Sequence, residues 1–266
     1  MIYALSDIHG CFDELKEKMK DVDLSGDNRI IFLGDYIDYG TKSGDVLRFI
    51  HDYQKENGED KVIVLKGNHE AAMLEWIDEF KNPSSYDGYM SYNSWFREDA
   101  EQNYKTFKTL INKEQLEHIL EIENEASFER LNAEAVKMVL QTSGVIIKWI
   151  RSMKSFYETD KQIFVHAGID EDAEEYWKTG TPEEDFYYKY PATTGAFYKT
   201  IIAGHVGTAS FAGDRSFHDV FYDGKSHYYI DGSVYKKGGK LLLIGYDEKN
   251  GKYYQIERNK KILIKH

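Results

Sequence analysis

The sequence predicts an α/β fold, in which short buried strands alternate with helices. Three apolar runs, at residues 2–6, 29–33 and 62–65, are too short to be helices, and each is followed by a turn that contains glycine. Between these runs, apolar side chains recur at helical spacing over residues 12–20 and 44–55. Because strand and helix alternate in this way, we expect the chain to wind around a sheet.

Length and composition indicate a globular protein. The chain has 266 residues, so we expect one domain, or one domain with an insertion. Hydrophobic residues make up 41% and charged residues 30%, which is typical of a folded chain rather than a disordered one. The formal net charge of −12 argues against extended binding of nucleic acid, which needs a basic face. A compact cationic site could still bind one phosphate group.

The sequence also predicts where the protein works. No apolar run approaches the length of a membrane span, and the N-terminal residues lack a basic segment followed by an apolar one. The single cysteine, Cys11, excludes an intrachain disulfide and suits a reducing compartment. We therefore expect a cytoplasmic protein without membrane contact. The sequence does not indicate an oligomeric state.

The middle of the chain, residues 80–155, has few strand-like runs and many Glu and Lys residues. Its apolar residues between 107 and 120 predict one helix or a broken pair, and those from 128 to 140 fit a helix of period 3.6. We interpret residues 80–155 as a helical insertion or cap within a single domain, residues 1–266. This region contains an aromatic cluster that either lines a substrate groove or, as we favour, belongs to the core. The cluster comprises Tyr86, Tyr89, Tyr92, Trp95 and Phe96.

The last part of the chain predicts a return to sheet structure. An acidic, tyrosine-rich loop is expected at residues 170–195. The apolar runs predict strands at residues 162–165, 200–203, 228–230, 240–246 and 253–257.

Polar side chains follow five of the predicted strands, usually beside glycine. One such residue alone is an ordinary turn, but packing does not require His at the ends of several strands, and ligands of α/β proteins bind at this edge of the sheet. Asp7 and His9 are two residues apart, so in extended backbone they would point the same way. Carboxylate, amide and imidazole groups together suit Mn, Fe, Zn or Co better than Ca or Mg. The residues are Asp7 with His9, Asp35 with Asp38, Asn68 with His69, His166, and His205.

These residues form a series that resembles the motifs of the calcineurin-like metallophosphoesterases, in order and spacing, over about residues 2–245. Within that family the chain looks like the phosphoprotein phosphatase branch, which includes Ser/Thr phosphatases and symmetrical diadenosine tetraphosphate hydrolases. The resemblance implies a four-layer β-sandwich flanked by helices. The motifs are Asp7-Ile8-His9-Gly10, Gly34-Asp35-Tyr36-Ile37-Asp38, Gly67-Asn68-His69-Glu70, His166-Ala167-Gly168 and Gly204-His205.

The resemblance further implies two divalent metal ions that share Asp35 as a bridge. Manganese is expected, with iron and zinc as alternatives. A metal-bridging hydroxide would attack phosphorus, His69 would protonate the leaving oxygen, and Asp38 would orient His69. The implied ligands of the first metal are Asp7, His9 and Asp35. The implied ligands of the second metal are Asp35, Asn68, His166 and His205.

The sequence departs from the family at the phosphate-binding positions. In this branch an Arg follows the second Asp of the motif and binds the substrate phosphate, whereas here Tyr39 follows Asp38. A second phosphate-binding Arg is expected between the two late His motifs, but residues 170–204 contain none. A bidentate Arg binds phosphate strongly, while a Tyr hydroxyl offers one neutral donor. The substrate contacts must therefore differ from those of the family.

Several residues are candidates for the missing contacts. Arg97, Arg130 and Arg151 lie in the insertion, and any of them could supply a cation. Alternatively, phosphate binding rests on the metals and Asn68 alone. We expect Asn68, Tyr39 and Arg97 to bind the substrate.

Three functions follow from these observations. The first is a metal-dependent phosphatase acting on phosphomonoesters, either phosphoproteins or small phosphoesters. The second is a nucleotide or phosphodiester hydrolase, for instance of dinucleoside polyphosphates, which the missing arginines favour because a diester carries less charge. The third is a metal-binding scaffold without turnover. Because a structural metal site needs neither His69 nor Asp38, their presence favours an enzyme.

Overall fold

The computed structural model describes residues 1–81, 95–96 and 101–264. The strands in these ranges are β1 (Ile2–Leu5), β2 (Arg29–Phe32), β3 (Val62–Val64), β4 (Phe156–Glu158), β5 (Gln162–Val165), β6 (Thr200–Gly207), β7 (Phe221–Tyr222), β8 (His227–Asp231), β9 (Leu243–Asp247), β10 (Lys252–Glu257) and β11 (Lys260–Leu263). The helices are α1 (Phe12–Met19), α2 (Ser43–Asn57), α3 (Asn68–Lys81), α4 (Glu101–Leu110), α5 (Lys113–Ile122), α6 (Phe128–Arg151), α7 (Trp177–Gly180), α8 (Asp185–Tyr188) and α9 (Thr208–Ala212), with a 3-10 segment at Glu171–Tyr176. Among the described helices, none combines the length and the apolar content that a membrane span needs.

The first sheet has six strands in the order β11-β10-β9-β1-β2-β3. Strands β1, β2 and β3 are parallel, and α1 and α2 provide the crossovers between them. On its other side β1 pairs with β9 in the antiparallel sense, and β10 and β11 continue the sheet as antiparallel strands. The three parallel strands bring the chain segments that follow β1, β2 and β3 to one edge of the sheet.

The second sheet has five strands in the order β4-β5-β6-β8-β7. Its central strands β5, β6 and β8 are parallel, and β4 and β7 pair antiparallel at the two edges. The pairing of β6 with β8 shifts register between Ala203 and Gly207, so β6 carries a bulge there.

The two sheets pack face to face, and helices cover their outer faces. Alternate residues of each parallel strand point to opposite faces, so Ala4 of β1 packs between the sheets while Leu5 packs under the helices. On the second sheet, Ile202 faces the first sheet and Ile201 packs against Trp177 of α7. The resulting layers confirm the predicted α/β sandwich flanked by helices.

The predicted elements agree with most of the observed ones. Helices α1 and α2 lie where apolar spacing placed them, and the broken pair predicted between residues 107 and 120 corresponds to α4 and α5. Helix α6 runs further than predicted, to Arg151, with a break at Ser143. Helix α3 begins at Asn68 itself, so the predicted turn residues belong to its first turn.

Helices α4, α5 and α6, within the predicted insertion, share one core with the first sheet. Phe107 of α4 and Val139 of α6 are fully buried in the same apolar cluster as Leu5 of β1. Trp95 and Phe96 are buried in this cluster as well. The predicted residues Tyr86, Tyr89, Tyr92 and Arg97 lie outside the described ranges.

Candidate metal centre

The predicted site residues meet where the strands of both sheets end. The loops after β1 and β2, the first turn of α3, the residue after β5 and the bulge of β6 all open onto the same place. Most of these side chains are buried, which is uncommon for charged residues without partners. The residues that the structure brings together are Asp7, His9, Asp35, Asp38, Asn68, His69, His166 and His205.

The backbone of these loops is left-handed rather than extended. Asp7 and His9 have φ angles of 54° and 47°, and Asp35 and Asp38 have φ angles of 58° and 72°. The expectation that Asp7 and His9 share a side because of extended backbone is therefore wrong. The two loops instead hold each other, since the His9 N–H donates to the carbonyl of Asp35 at 2.9 Å. Such conformations are costly for residues other than glycine and cluster at functional sites.

Two glycines allow the carboxylates to approach other backbone segments. A Cβ atom on Gly67 would lie 2.2 Å from Oδ1 of Asp35, and one on Gly204 would lie 2.1 Å from Oδ2 of Asp7. Neither carboxylate could keep its position beside a larger residue. These glycines explain why the motifs contain Gly next to the polar residues.

The buried carboxylate of Glu70 holds the loop that carries Asp35. It accepts hydrogen bonds from the backbone N–H groups of Asp35 at 2.9 Å, Tyr36 at 2.8 Å and Gly67 at 3.0 Å. A fourth N–H, from Ile37, lies 3.3 Å away. Glu70 belongs to the third motif, and the resemblance implies no role for it. Nothing in its local sequence indicates that it faces a loop that lies about 35 residues earlier in the chain.

His9 offers a free ring nitrogen to two carboxylates. Its Nδ1 lies 2.9 Å from the carbonyl oxygen of Ile37, and because a carbonyl can only accept, Nδ1 carries the proton. The lone pair of the neutral ring is therefore on Nε2. This atom lies 3.6 Å from Oδ2 of Asp35 and 3.9 Å from Oδ1 of Asp7. Three acceptor atoms thus face one another, as expected around a cation.

His166 and His205 form a similar arrangement around Asn68. Nδ1 of His166 lies 3.1 Å from the carbonyl oxygen of Leu33, so this nitrogen is the donor. Nε2 of His166 lies 2.9 Å from Oδ1 of Asn68 and 3.4 Å from Oδ1 of Asp35. Nδ1 of His205 lies 3.0 Å from the same Asn68 oxygen. Nitrogen and oxygen atoms that can bind a metal ion again converge on one point.

Two groups of potential ligand atoms meet at Asp35. In each group, one atom from every side chain lies within 4.8 Å of the others. The groups are His9 with Asp35 and His69, and Asp35 with His166 and His205. Because Asp35 has two carboxylate oxygens and belongs to both groups, the mixed donor set fits two divalent cations. The first group contains His69 where the resemblance implies Asp7.

The charges at the site also favour cations. Burial and the negative charge of Asp231 raise the pKa of Asp7 well above its usual range. Burial acts on Asp35 in the same direction, but the neighbouring imidazoles of His166 and His69 hold the pKa of Asp35 well below its usual range. Buried carboxylates therefore repel one another here, and positive charge stabilises them.

His69 is paired with Asp38 at the edge of the cluster. Its Nδ1 lies 2.6 Å from Oδ2 of Asp38, and its Nε2 lies 3.9 Å from Oδ2 of Asp35. Burial lowers the pKa of His69, but the charge of Asp35 and the hydrogen bond with Asp38 outweigh this effect and raise the pKa to about 10. The contact with Asp38 therefore favours the protonated ring, which can donate a proton from Nε2.

Asp38 has three further partners that the sequence did not indicate. Its Oδ2 accepts from the indole N–H of Trp95 at 3.0 Å and from the side-chain amide of Asn103 at 2.9 Å. Its Oδ1 accepts from the hydroxyl of Thr106 at 2.8 Å. The carboxylate is fully buried, so these donors replace the water that a charged group would otherwise bind.

A family comparison agrees with this geometry. Residues 1–208 match the sequence profile described as calcineurin-like phosphoesterase. The chain belongs to the calcineurin-like phosphoesterase family. Members of this family are metal-dependent hydrolases, and the match confirms both the recognised family and the prediction of an enzyme.

Relatives of this phosphoesterase include symmetrical bis(5'-nucleosyl)-tetraphosphatases from bacteria. The protein of this name from Nitrosococcus oceani is 35% identical over 74 residues, which are 27% of this chain and 25% of the relative. The protein from Buchnera aphidicola subsp. Schizaphis graminum is 26% identical over 152 residues, which are 56% of this chain and 46% of the relative. The chain thus spans about a quarter to a half of the length of these relatives.

Solved phosphatase structures share the fold. The cold-active protein-tyrosine phosphatase of a psychrophilic Shewanella species superposes with a TM-score of 0.56 at 15% identity, over 99% of this chain and 80% of that one. A protein serine/threonine phosphatase from Saccharomyces cerevisiae has a TM-score of 0.53 at 11% identity, over 100% of this chain and 80% of that one. At these identities the likeness concerns the fold alone.

The rim of the phosphoesterase site is aromatic where the family was expected to provide arginine. Tyr39 stacks on Tyr235, with ring centroids 4.1 Å apart and planes at 10°. Both rings also contact His9 edge-on, at 4.8 and 5.0 Å. Sequence reasoning missed Tyr235, which lies far from Tyr39 in the chain. The hydroxyl of a further tyrosine, Tyr188, donates to the backbone carbonyl of Asn68 at 3.1 Å.

The arginines proposed as substitutes are placed differently. Arg151 forms two hydrogen bonds with Asp78, at 2.8 and 2.5 Å, so its guanidinium is already paired. Arg130 is exposed in the first turn of α6, where its backbone N–H donates to the side-chain hydroxyl of Ser127. Arg97 lies outside the described ranges. Of the three expected substrate contacts, Tyr39 and Asn68 are the two that the described part of the structure brings to the site.

Proposed function

We propose that this calcineurin-like phosphoesterase hydrolyses phosphomonoesters with two divalent cations held at its strand ends. The observation that supports this most is the position of Asp35, whose Oδ2 lies 3.6 Å from Nε2 of His9 and whose Oδ1 lies 3.4 Å from Nε2 of His166. One carboxylate thus faces two imidazole clusters. The proposed ligands are Asp7, His9 and Asp35 for one cation and Asp35, Asn68, His166 and His205 for the other.

Such a pair of cations neutralises the charge of a phosphoryl group and activates water as a nucleophile. The protein's own contribution is the proton. Asp38 fixes the ring of His69 through Nδ1, which leaves the Nε2 proton directed toward the cluster, where it can pass to the leaving oxygen. We propose Asn68 and Tyr39 as substrate contacts, since both border this space.

Hydrolysis of a dinucleoside polyphosphate is the second candidate. The bacterial relatives carry the name of such an activity. The stacked pair of Tyr39 and Tyr235 also favours it, because an aromatic surface can stack a nucleobase while it offers little charge to a phosphate dianion.

Three further expectations belong to this proposal. We expect manganese to support activity, with iron or zinc as alternatives, because the donor set mixes oxygen and nitrogen. We expect a cytoplasmic enzyme acting on phosphoproteins or small phosphoesters, since a single cysteine suits a reducing compartment. We also propose that residues 1–266 form a single phosphoesterase domain in which residues 80–155 are a helical insertion.

One comparison of substrates tests the proposal. The manganese-loaded protein is assayed with p-nitrophenyl phosphate, bis(p-nitrophenyl) phosphate, a phosphoserine peptide and diadenosine tetraphosphate, with metal-free protein as the control. Faster turnover of the two monoesters supports the first function, and faster turnover of the tetraphosphate or the diester supports the second. Tight metal binding without turnover of any substrate contradicts both and favours a metal-binding scaffold.

A further inference from the structure

Helix α4, which lies within the predicted insertion, reaches the proposed catalytic pair. Asn103 and Thr106 are three residues apart in this helix, so they lie on the same face. Both side chains are buried, and both donate a hydrogen bond to the carboxylate of Asp38. The two residues are more than 60 positions from Asp38 in sequence, and the contact is therefore made by tertiary structure alone.

The contacts leave the Asp38 carboxylate little freedom to rotate. Oδ2 accepts from Asn103 at 2.9 Å and from Trp95 at 3.0 Å, and it is also the oxygen that contacts Nδ1 of His69. Oδ1 accepts from Thr106 at 2.8 Å. Because both oxygens are engaged, turning the carboxylate plane breaks hydrogen bonds at each end. Hydrogen bonds to an ionised group are roughly twice as strong as neutral ones.

The hydroxyl of Thr106 connects the side chain of Asp38 with its backbone. The hydroxyl has one proton, and the carboxylate oxygen can only accept, so this proton goes to Asp38. Its lone pairs then accept from the N–H of Asp38 at 2.8 Å and from the hydroxyl of Ser43 at 2.9 Å. Thr106 thereby fixes both the left-handed backbone at Asp38 and the direction of its carboxylate.

The next turn of α4 anchors the helix without touching Asp38. The hydroxyl of Thr109 accepts from the N–H of Gly44 in α2 at 2.8 Å and donates to the carbonyl of Thr106 at 2.7 Å. Phe107, on the same helix, is fully buried in the main core. The helix is therefore held in place independently of its contacts with the site.

We propose that Asn103 and Thr106 are positioning residues that orient His69 through Asp38. This inference rests on the proposed role of His69 as the proton donor. A proton donor must lie within hydrogen-bond reach of the leaving oxygen, and a misplacement of about 1 Å can cost about 10²-fold in rate. Asn103 and Thr106 thus contribute to proton transfer through Asp38 and His69.

The dependence of the rate on the leaving group tests whether Asn103 and Thr106 affect proton transfer by His69. We expect Asn103→Leu and Thr106→Val, loaded with manganese, to lose about tenfold or more in kcat on phenyl phosphate, a part of the roughly 10²–10⁴-fold that a general acid contributes. The loss should be smaller on p-nitrophenyl phosphate, whose leaving group needs little protonation, and KM should change little. Thr106→Ser keeps the hydroxyl and should show the wild-type ratio of the two rates. If Thr106→Val does not fold, Asn103→Leu and Thr106→Ser still test the inference.

Thr109→Val is the matched control, since it removes the same group from the same helix one turn away. It should lower thermal stability through the lost bond to Gly44 but keep the wild-type ratio of rates on the two esters. Equal losses on both esters in folded, metallated Asn103→Leu and Thr106→Val would overturn the inference.

A measurement independent of turnover separates this inference from the proposed function. Proton NMR of the folded protein should show a downfield signal from the His69 Nδ1 proton, as expected for its 2.6 Å contact with Asp38, and His69→Asn should remove it. The signal should shift or broaden in Asn103→Leu and Thr106→Val and stay in place in Thr109→Val. An unchanged signal in both variants, or none in the wild type, overturns the inference. Failure of every phosphoester assay would instead contradict the proposed function.

Discussion

Nε2 of His166 lies 2.9 Å from Oδ1 of Asn68, and Nδ1 of His205 approaches the same oxygen at 3.0 Å. A neutral His166 ring would have no proton at Nε2, because its Nδ1 faces the carbonyl of Leu33. Burial lowers the pKa of His166, but the charge of Asp35 and the hydrogen bond with it outweigh burial and raise this pKa to about 9. A proton on Nε2 of His166 or a metal ion removes the repulsion between lone pairs of the two side chains, whereas His205 can donate to the Asn68 oxygen from Nδ1. Asp35 faces His166 with Oδ1 and His9 with Oδ2. Because one carboxylate would serve both proposed metal sites, Asp35 is the residue on which the binding of two cations depends most.

The first prediction concerns metal content. Protein purified with manganese should hold about two ions per chain, the number expected of a two-metal hydrolase. Asp35→Asn should lose more metal than His205→Asn, because Asp35 is proposed to bind both ions and His205 only one. Elemental analysis of the two folded variants side by side measures this. Full occupancy and activity in Asp35→Asn would disprove the bridging role.

The second prediction separates the two possible roles of His69. The residue belongs to a group with His9 and Asp35, so it could hold a cation, yet its Nδ1 is engaged by Asp38. If His69 is a proton donor, the His69→Asn variant should keep both metals and lose roughly 10²–10⁴-fold in turnover. The loss should be smallest for nitrophenyl esters. Loss of one metal together with equal losses on all esters would make His69 a ligand instead.

The third prediction concerns the support of the Asp35 loop. Glu70→Gln replaces one accepting oxygen with an amide N–H₂ group that faces backbone N–H groups of Asp35, Tyr36 and Gly67. We expect the metal-free protein to lose about 1–3 kcal/mol of unfolding free energy, the usual cost of leaving a buried polar group without a partner. Urea titration measures it. Glu75→Gln, an exposed position on the same helix, is the control and should change stability little.

Much of the fold could be predicted because the central strands are buried on both faces. Strands such as β2 and β5 read as continuous apolar runs, and that signal needs no knowledge of their neighbours. The edge strands β4, β7 and β11 were not predicted. They are two to four residues long, none of their residues is buried, and their local sequence is not that of a buried strand.

The site likewise contains residues that the sequence could predict and residues that it could not. Asp7, Asp35 and His166 follow apolar strands, so their convergence follows from topology. Asn103 and Thr106 lie in a helix whose pattern shows only which face is buried. Their link to Asp38 depends on how that helix packs, and no local pattern encodes a contact made across 65 or 68 positions.

The fourth prediction concerns pH and a histidine outside the site. His227 is buried, and although burial lowers its pKa, contacts with Glu171 at 3.2 Å and Asp223 at 3.0 Å outweigh this and raise the pKa. A raised pKa in the folded state stabilises the fold below the unfolded value of about 6.5, and this contribution is lost as pH rises through the folded pKa. His227→Gln should therefore destabilise more at low than at high pH.

Urea unfolding of His227→Gln and wild type at about pH 6 and pH 9 measures this difference. We expect the loss of unfolding free energy to be larger at the lower pH by about 1.5–3 kcal/mol, the size of a hydrogen bond to a charged group. Glu171→Gln removes one of the two carboxylates that contact the His227 ring. Like His227→Gln, this variant should destabilise the protein more at low pH than at high pH. Equal destabilisation by His227→Gln at both pH values would show that the ring does not gain its proton from folding.

The last prediction asks which substrate the aromatic rim serves. Tyr39 already adopts a φ of 59°, so Tyr39→Arg adds no new type of backbone strain, and a guanidinium can keep the stacking on Tyr235. If the enzyme acts on monoesters, the added charge should contact the phosphoryl oxygens and raise kcat/KM on phenyl phosphate by about tenfold, the value of a charge-assisted hydrogen bond. Tyr39→Phe, which keeps the ring and removes only the hydroxyl, is the matched control.

The position of Tyr39 is half-buried, so an Arg there that finds no anion would cost stability, and thermal unfolding and metal content must be measured with the rates. In a stable, fully metallated Tyr39→Arg variant, a fall in monoester turnover would mean that the new cation obstructs the substrate rather than binding it. The stacked tyrosines would then be a surface for a less charged or aromatic group. That result would reject the monoesterase and favour hydrolysis of a nucleotide or a phosphodiester.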